Sequence, residues 1–254
     1  MLHVNQLSDD LLSLNISTKY LHDFDIASES TFVNEPIKKF ENALDAYNFV
    51  DISERSLKII RRQFLDSKVL RPEYVVPEFH QMFASLGTLT KTDLLYRMNK
   101  DGCSPEIFHK RCDNQGATLI LVHANGGYVF GAFNPTSWVN QYCYSESEEA
   151  FLFSLVEPTR KRKPFKCRVK PNKVDFAVKQ SEAGFSPGFG EANNCDLFLA
   201  YKSPNRSYCR LGIVYEPPDD VAKGLTQQEI HCLLAGKETE WEIQEIEVYA
   251  VAFI

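Results

Sequence analysis

Three residues near the end of one short predicted helix carry side chains suited to nucleophilic or acid–base chemistry. His109 and Cys112 lie three positions apart, a spacing that makes side chains neighbours on a helix. A thiolate beside an imidazolium would be a nucleophile or a redox sensor. Asp113 follows directly and, with Asp101, offers two carboxylates around the same helix. The structural alternative, which we favour, is a buried Cys112, a packed or capping His109, and aspartates that cap turns through their own backbone.

A basic stretch offers a different kind of site, one for docking. Seven cations share it: Arg160, Lys161, Arg162, Lys163, Lys166, Arg168 and Lys170. Such a run is most often a solvated loop and strand edge. It is also the best local surface of this chain for an acidic partner.

Two glutamates in the last predicted strand offer a surface of opposite charge. Glu245 and Glu247 are two positions apart, so they point to the same face of a strand. If Ile246 and Val248 face the core, we expect both glutamates to face solvent. They would then form an acidic docking surface or, more simply, a solvated face.

Neither a metal nor an organic cofactor is expected. The seven cysteines are widely spaced and include no C-x-x-C pair, so zinc is not indicated. Gly188 and Gly190 lack the strand–GxGxxG–helix unit of a dinucleotide site, and a sharp loop explains them. The net charge of −6 argues against a nucleic-acid partner, which requires a basic face. With no signal sequence and no apolar run of roughly 20 residues, we expect a cytoplasmic protein without a transmembrane segment.

Periodicity divides the chain into a small helical N-terminal segment and a strand-rich remainder. Apolar residues at steps of three and four predict helices over 36–47 and 54–66. A short helix is predicted from the N-cap Ser104 to Cys112. Alternating, aromatic-rich runs predict strands over 93–97, 117–124, 128–133, 150–156, 166–170, 174–179, 196–201, 207–215 and 240–254. A phase slip in the last strand predicts a bulge or a bend. The pattern predicts an α+β, mostly β protein: a two-layer antiparallel β-sandwich with a few short helices.

Several short sequences, taken in order, resemble those of the TLDc family. They are Leu94-Leu95-Tyr96-Arg97, Asp101-Gly102, Phe108-His109, Cys112-Asp113, Gly116-Ala117-Thr118-Leu119, Gly127-Tyr128-Val129-Phe130-Gly131, Trp138, Phe151-Leu152-Phe153-Ser154-Leu155, Pro187-Gly188-Phe189-Gly190, Asp196-Leu197, Tyr215 with Pro217, Leu234-Ala235-Gly236 and Glu245-Ile246-Glu247-Val248-Tyr249. Each is weak alone, and their common order carries the resemblance. Trp241 departs from the family, which usually has Phe there.

The resemblance implies a domain over residues 65–254, with residues 1–64 as a helical extension of unknown role. It implies a two-sheet β-sandwich, protection from oxidative damage and, in several members, binding to V1 subunits of the V-type proton ATPase. It brings no accepted catalytic mechanism. We therefore expect a non-catalytic regulatory module. The alternatives are a structural subunit of a larger cytoplasmic assembly and, less readily, a cysteine-dependent hydrolase or redox enzyme using His109, Cys112 and Asp113.

Overall fold

The described part of the chain begins at residue 62. The computed structural model describes residues 62–254 apart from 72–73, 75–76, 160, 182–187, 192–193, 202–205 and 240. The predicted helix over 36–47 and most of the one over 54–66 lie outside these residues, as does Arg160. The division of the chain between residues 64 and 65 therefore stays a prediction.

Strands dominate the described residues. They are β1 (Leu89–Arg97), β2 (Thr118–Ala124), β3 (Val129–Asn134), β4 (Tyr144–Ser145), β5 (Phe151–Val156), β6 (Phe165–Val169), β7 (Val178–Lys179), β8 (Gly188–Glu191), β9 (Asn194–Phe198), β10 (Tyr208–Cys209), β11 (Tyr215–Glu216) and β12 (Ile243–Phe253). The α-helices are short: α1 (Pro77–Gln81), α2 (Met98–Asp101), α3 (Pro105–Cys112), α4 (Asp219–Ala222) and α5 (Gln227–His231). Two 3₁₀ helices span Asn125–Gly127 and Pro171–Phe176.

The strands form two antiparallel sheets. The larger has the order β1-β12-β2-β3-β5-β6-β11, and the smaller the order β10-β9-β8-β7-β4. One continuous hydrophobic core contains Ile120 and Leu152 of the larger sheet together with Phe189 and Leu197 of the smaller. The two sheets therefore pack face to face, and the predicted mostly β, two-layer antiparallel fold is confirmed.

A second hydrophobic core covers the other face of the larger sheet. Leu121 and Phe153 point into it from the sheet, and Phe64, Phe79 and Phe83 meet them from the segment that precedes β1. Phe79 and Phe83 stack edge to face, with ring centroids 5.2 Å apart. A sheet buried on both faces needs apolar side chains at successive positions, which is why β2, β3 and β5 are nearly continuous apolar runs.

Gly131 lies at the centre of this doubly covered sheet. A Cβ atom there would stand 2.1 Å from the carbonyl oxygen of Ile120 and 2.4 Å from the ring of Phe153. The Phe153 ring thus occupies the volume that a side chain at residue 131 would need. Glycine is required here by close packing and not by an unusual backbone conformation.

Most predicted elements occur close to their predicted positions, with two exceptions. The predicted strand over 174–179 is wrong in its first half, because Pro171 starts a 3₁₀ helix and only Val178–Lys179 is extended. The predicted strand over 207–215 is divided into β10 and β11 by turns. The bulge predicted in the last strand is confirmed between Ile243 and Glu245.

Candidate functional site

The helix α3 holds the residues with the clearest chemical potential. Its first turn is fixed by Ser104, whose Oγ accepts a hydrogen bond from the Ile107 amide 3.2 Å away, and by Pro105 at the first helical position. On its inner face Phe108 packs edge to face on Trp138, with ring centroids 5.4 Å apart. The local sequence therefore builds a rigid helix that presents its last turn to the space between the sheets.

His109 is bonded at both ring nitrogens. Its Nδ1 lies 2.8 Å from Oδ1 of Asp113, one helical turn further on, and its Nε2 lies 3.2 Å from Oγ of Ser181. We call these three residues the His109 relay. The sequence spacing pairs His109 with Cys112, whereas the structure brings His109 together with Asp113 and Ser181.

The His109 relay has the connectivity Ser–His–Asp that acyl-transfer enzymes use. In those enzymes the serine hydroxyl must reach a substrate carbonyl. Ser181 is only 1% exposed, and His109 only 4%. In this conformation the buried His109–Ser181 hydrogen bond joins α3 to the chain just after β7, whereas the His109–Asp113 contact lies within the end of α3. Hydrogen bonds of this kind contribute about 1 kcal/mol each.

Cys112 has the opposite properties to those of a catalytic thiol. It is fully buried in the core between the sheets. Burial raises the pKa of its thiol well above the ordinary value, and the nearby charge of Asp113 raises that pKa further. The neutral thiol is therefore the stable form, which fits a small hydrophobic side chain better than a nucleophile.

The basic stretch divides into exposed cations and cations that serve the fold. Lys161 and Lys163 are exposed in the loop between β5 and β6, and Arg168 is exposed on β6. Arg162 is partly buried, with its Nη1 3.8 Å from Oε1 of Glu157. A partner could therefore reach Lys161 and Lys163 fully and Arg162 only in part.

Lys166 and Lys170 are not part of an open basic surface. Lys166 Nζ donates a hydrogen bond to the Met82 carbonyl oxygen at 2.6 Å and lies 4.0 Å from the centre of the Phe151 ring. Burial lowers the pKa of Lys166 to about 8. Lys170 Nζ donates to the Gly212 carbonyl oxygen, also at 2.6 Å. Both ammonium groups therefore bind neighbouring chain segments.

The expectation that Glu245 and Glu247 face solvent is wrong. Glu245 is 6% exposed and Glu247 is fully buried. The inference assumed that one face of the last strand is open, but the segment before β1 covers that face with the second hydrophobic core. Glu245 accepts hydrogen bonds from the amides of Asn99 and Ile246 and has no surface to offer a partner.

Glu247 is the centre of a buried polar cluster. Nε and Nη2 of Arg97 both lie 2.7 Å from its Oε1, which also accepts from the Lys68 amide at 2.8 Å. Its Oε2 accepts from Ser67 Oγ at 2.5 Å and from the Tyr249 hydroxyl at 3.0 Å. This carboxylate therefore ties the segment before β1 to the edge of the larger sheet.

Comparison with protein-family models decides which family this fold represents. The model described as the TLDc domain matches residues 67–252. The chain belongs to the TLDc family. The match begins at Ser67, which donates a hydrogen bond to the buried Glu247 carboxylate, and covers both sheets except for the last residue of β12. A comparison with curated proteins gives no match.

Asp196 is an important polar residue of the TLDc domain that sequence reasoning did not single out. Its Oδ1 accepts from the amides of Gly212, Ile213 and Tyr215 at 2.9–3.0 Å, and its Oδ2 accepts from the Val214 amide at 2.8 Å. Burial raises the pKa of Asp196 to about 6, against the opposing effect of these four donors. The carboxylate fixes the turn that separates β10 from β11.

Ser181 and Arg97 were missed for a different reason. Their partners His109 and Glu247 are 72 and 150 positions away in the chain, so local residue spacing cannot predict either contact. Arg97 does lie within the TLDc-like sequence Leu94–Arg97, which was the only available signal.

The described residues of the TLDc domain contain neither a membrane-spanning helix nor a group of metal ligands. No helix among them is long and apolar enough to cross a membrane. Likewise, within residues 62–254 as described, no three or more His, Cys, Asp or Glu side chains are grouped as metal ligands.

Proposed function

We propose that this TLDc protein is a non-catalytic, cytoplasmic binding module that acts in protection against oxidative damage and in the binding or regulation of a V-type proton ATPase. The family match over residues 67–252 carries the proposal, because the TLDc family is linked to oxidative-stress resistance. The partner follows from the resemblance described above, in which several members bind V1 subunits. Binding of this protein would promote disassembly of the proton pump or inhibit it.

The distribution of exposed groups supports a binding role for loops. Hydrophobic cores cover both faces of the larger sheet at its centre, so the residues of β2, β3 and β5 offer little accessible surface. Lys161 and Lys163, by contrast, are exposed in the β5–β6 loop. With Arg160 and Arg162 they provide a local positive charge that would attract an acidic surface of the partner.

A pull-down with the full chain tests the partner directly. The tagged protein is incubated with cytosolic extract at moderate salt, and V1 subunits are identified by mass spectrometry. We expect V1 subunits to be recovered with the wild type and reduced recovery with the double variant Lys161→Glu/Lys163→Glu. Lys223→Glu/Lys237→Glu makes the same charge change at two exposed lysines elsewhere and is the matched control.

The outcomes of this experiment separate the partner from the docking surface. Recovery of no V1 subunit would contradict the proposed function. Equal recovery of V1 subunits with both double variants would support V1 as the partner and would contradict a role of the β5–β6 loop in the interface. Addition of the purified protein to isolated V-type ATPase should also lower ATP hydrolysis or release V1, and no change at saturating protein would contradict a regulatory role.

A further inference from the structure

The outer edge of β1 is open along most of its length. Among the described residues, β1 pairs with β12 and with no strand on its other side. Within the part of the chain that the structure describes, side chains bond to the β1 backbone at the two ends of this outer edge. Gln63 Nε2 donates to the Leu89 carbonyl oxygen at 3.3 Å, and Asp101 Oδ2 accepts from the Arg97 amide at 2.9 Å. The stretch between them presents a row of backbone groups suited to pairing with another strand.

The side chains of this stretch are exposed on both faces of the strand. Thr90, Lys91, Asp93 and Leu94 are all exposed, although neighbouring residues of a strand point in opposite directions. Leu94, at 37%, is among the few large hydrophobic side chains of the described residues that remain exposed. This part of β1 therefore projects beyond both hydrophobic cores.

The sequence of the exposed stretch is complementary to itself. Lys91 and Asp93 lie on one face and are 67% and 54% exposed, with Nζ and Oδ2 2.5 Å apart. If two copies of β1 run antiparallel about a two-fold axis at Thr92, each Lys91 lies opposite the Asp93 of the other copy. On the other face Thr92 is half-buried, and its Oγ1 donates to the Gln63 carbonyl oxygen at 2.9 Å. In this arrangement Thr92 lies beside its counterpart in the other copy, and Leu94 lies opposite Thr90. Opposite charges and paired threonines are favourable cross-strand neighbours.

Neighbouring registers lose this complementarity. An axis at Lys91 places the two lysines opposite each other, and an axis at Asp93 places the two aspartates opposite each other. Like charges directly opposite are destabilising. Only an axis at Thr92 gives both charged residues an opposite charge, so the side chains specify one register.

We propose that β1 is a homodimerisation edge, at which two copies of this chain join their seven-stranded sheets through antiparallel β1–β1 pairing centred on Thr92. The occupant of the edge is a second copy of the chain, because the charge pattern matches itself. Exposed charges on an edge strand commonly serve to prevent such pairing. The charge-swap experiment below distinguishes the two roles, and it does not depend on the proposed function.

Sedimentation of the full chain over a range of concentrations tests the association. A contact of one strand edge is small, so the series should extend to roughly several hundred micromolar. We expect a concentration-dependent dimer in the wild type. Lys91→Asp makes the edge wholly acidic and Asp93→Lys makes it wholly basic, and each should raise the dissociation constant at least tenfold.

Recombining the charges provides the decisive control. An equimolar mixture of Lys91→Asp and Asp93→Lys should form heterodimers, since each acidic position then faces a lysine. The double variant Lys91→Asp/Asp93→Lys should dimerise by itself as the wild type does. A wild type that stays monomeric, or single variants that dimerise as well as the wild type, would overturn the proposal.

A cross-linking pair tests the register independently of affinity. Residues directly opposite in antiparallel strands have Cα atoms about 4.5–5.5 Å apart, within the range of a disulfide. Thr92→Cys should therefore cross-link two copies under mild oxidation. Thr90→Cys should not, because the two copies of residue 90 would be offset by four residues, or about 13 Å. Equal cross-linking by both variants, measured above the background of the native cysteines, would refute the register.

Discussion

The guanidinium of Arg97 and the carboxylate of Glu247 form a charged pair at the edge of the larger sheet, with two N–O distances of 2.7 Å to one oxygen. The carboxylate is fully buried and the Arg97 side chain is 14% exposed. Ser67 and Lys68 supply further donors to the same carboxylate. The contact therefore joins β1, β12 and the segment that covers the second core.

Replacing Glu247 should be one of the most destabilising single changes in the domain. Glu247→Ala leaves the Arg97 charge and three further donors without their acceptor, so we expect a loss of about 3–5 kcal/mol in the free energy of unfolding. Urea denaturation measures it. Glu242→Ala, an exposed glutamate near the start of the same strand, should change stability by about 0.5 kcal/mol or less. A similar small effect at Glu247 would contradict the buried pair.

Asp196 should make stability depend on pH in an unusual direction. Its pKa in the folded protein is about 6, above the ordinary 3.8, so the folded state favours the protonated form. The free energy of unfolding should then fall by about 3 kcal/mol in total as pH rises from about 3 to about 7, with about 2 kcal/mol of that loss between pH 4 and pH 6. Subtracting the same curve for Asp196→Asn isolates this contribution. A difference that rises with pH over this interval would show that the four amide donors outweigh burial.

Gly131 should tolerate no side chain. Gly131→Ala places a Cβ against the Ile120 carbonyl and the Phe153 ring, and overpacking of this kind costs roughly 1–3 kcal/mol or more. Gly116→Ala is the matched control, because Gly116 has a φ of 74° but nothing within 4 Å of a Cβ. We expect the control to lose only about 1 kcal/mol, from backbone strain. Equal losses would mean that the sheet has room at residue 131.

Thiol reactivity should separate the binding module from the cysteine enzyme. Cys112, Cys167, Cys195 and Cys209 are buried, and burial raises the pKa of each thiol. We expect iodoacetamide at pH 7.5 to modify the partly exposed Cys143 first, and the buried four only on unfolding. Mass spectrometry of the intact and denatured protein measures this. Rapid modification of Cys112 in the folded protein would support the enzyme instead.

The His109 relay should behave as a structural contact. Ser181→Ala removes one hydrogen bond to His109 and should cost about 1–2 kcal/mol in stability. The folded protein should not react with a fluorophosphonate, because Ser181 is 1% exposed. Ser154→Ala, at another buried serine, is the control. Covalent labelling that disappears with Ser181→Ala but not with Ser154→Ala would show an accessible, activated serine.

Local sequence was sufficient for most of the strands and for α3. The run from Thr118 to Ala124 and the capping pair Ser104-Pro105 act through neighbouring residues, so pattern alone locates them. Glu245 and Glu247 could not be placed in this way. Alternation along the strand correctly predicts that both side chains lie on the same face of β12. The burial of that face depends on Phe64, Phe79 and Phe83, which precede the strand by more than 150 residues.

The candidate site shows the same limit. His109 and Asp113 are one helical turn apart, so their contact was within reach of sequence reasoning. Ser181 was not, because its approach to His109 depends on how the smaller sheet packs. Asp196 likewise receives its donors from a turn that begins 16 positions later. All four donors are backbone amides, which every residue type except proline has, so the side chains of the turn do not predict the contact.

The last residue of the chain has a practical consequence for labelling. Thr88 and Ile254 exchange two backbone hydrogen bonds, of 2.8 and 3.1 Å, so Ile254 is held beside the residue that precedes β1. A fluorescent protein attached at Ile254 would lie near the start of β1 and would obstruct a second strand that approaches its outer edge. Imaging or affinity tags placed there therefore need a long flexible spacer, because a bulky tag would itself block β1–β1 pairing and make the protein monomeric.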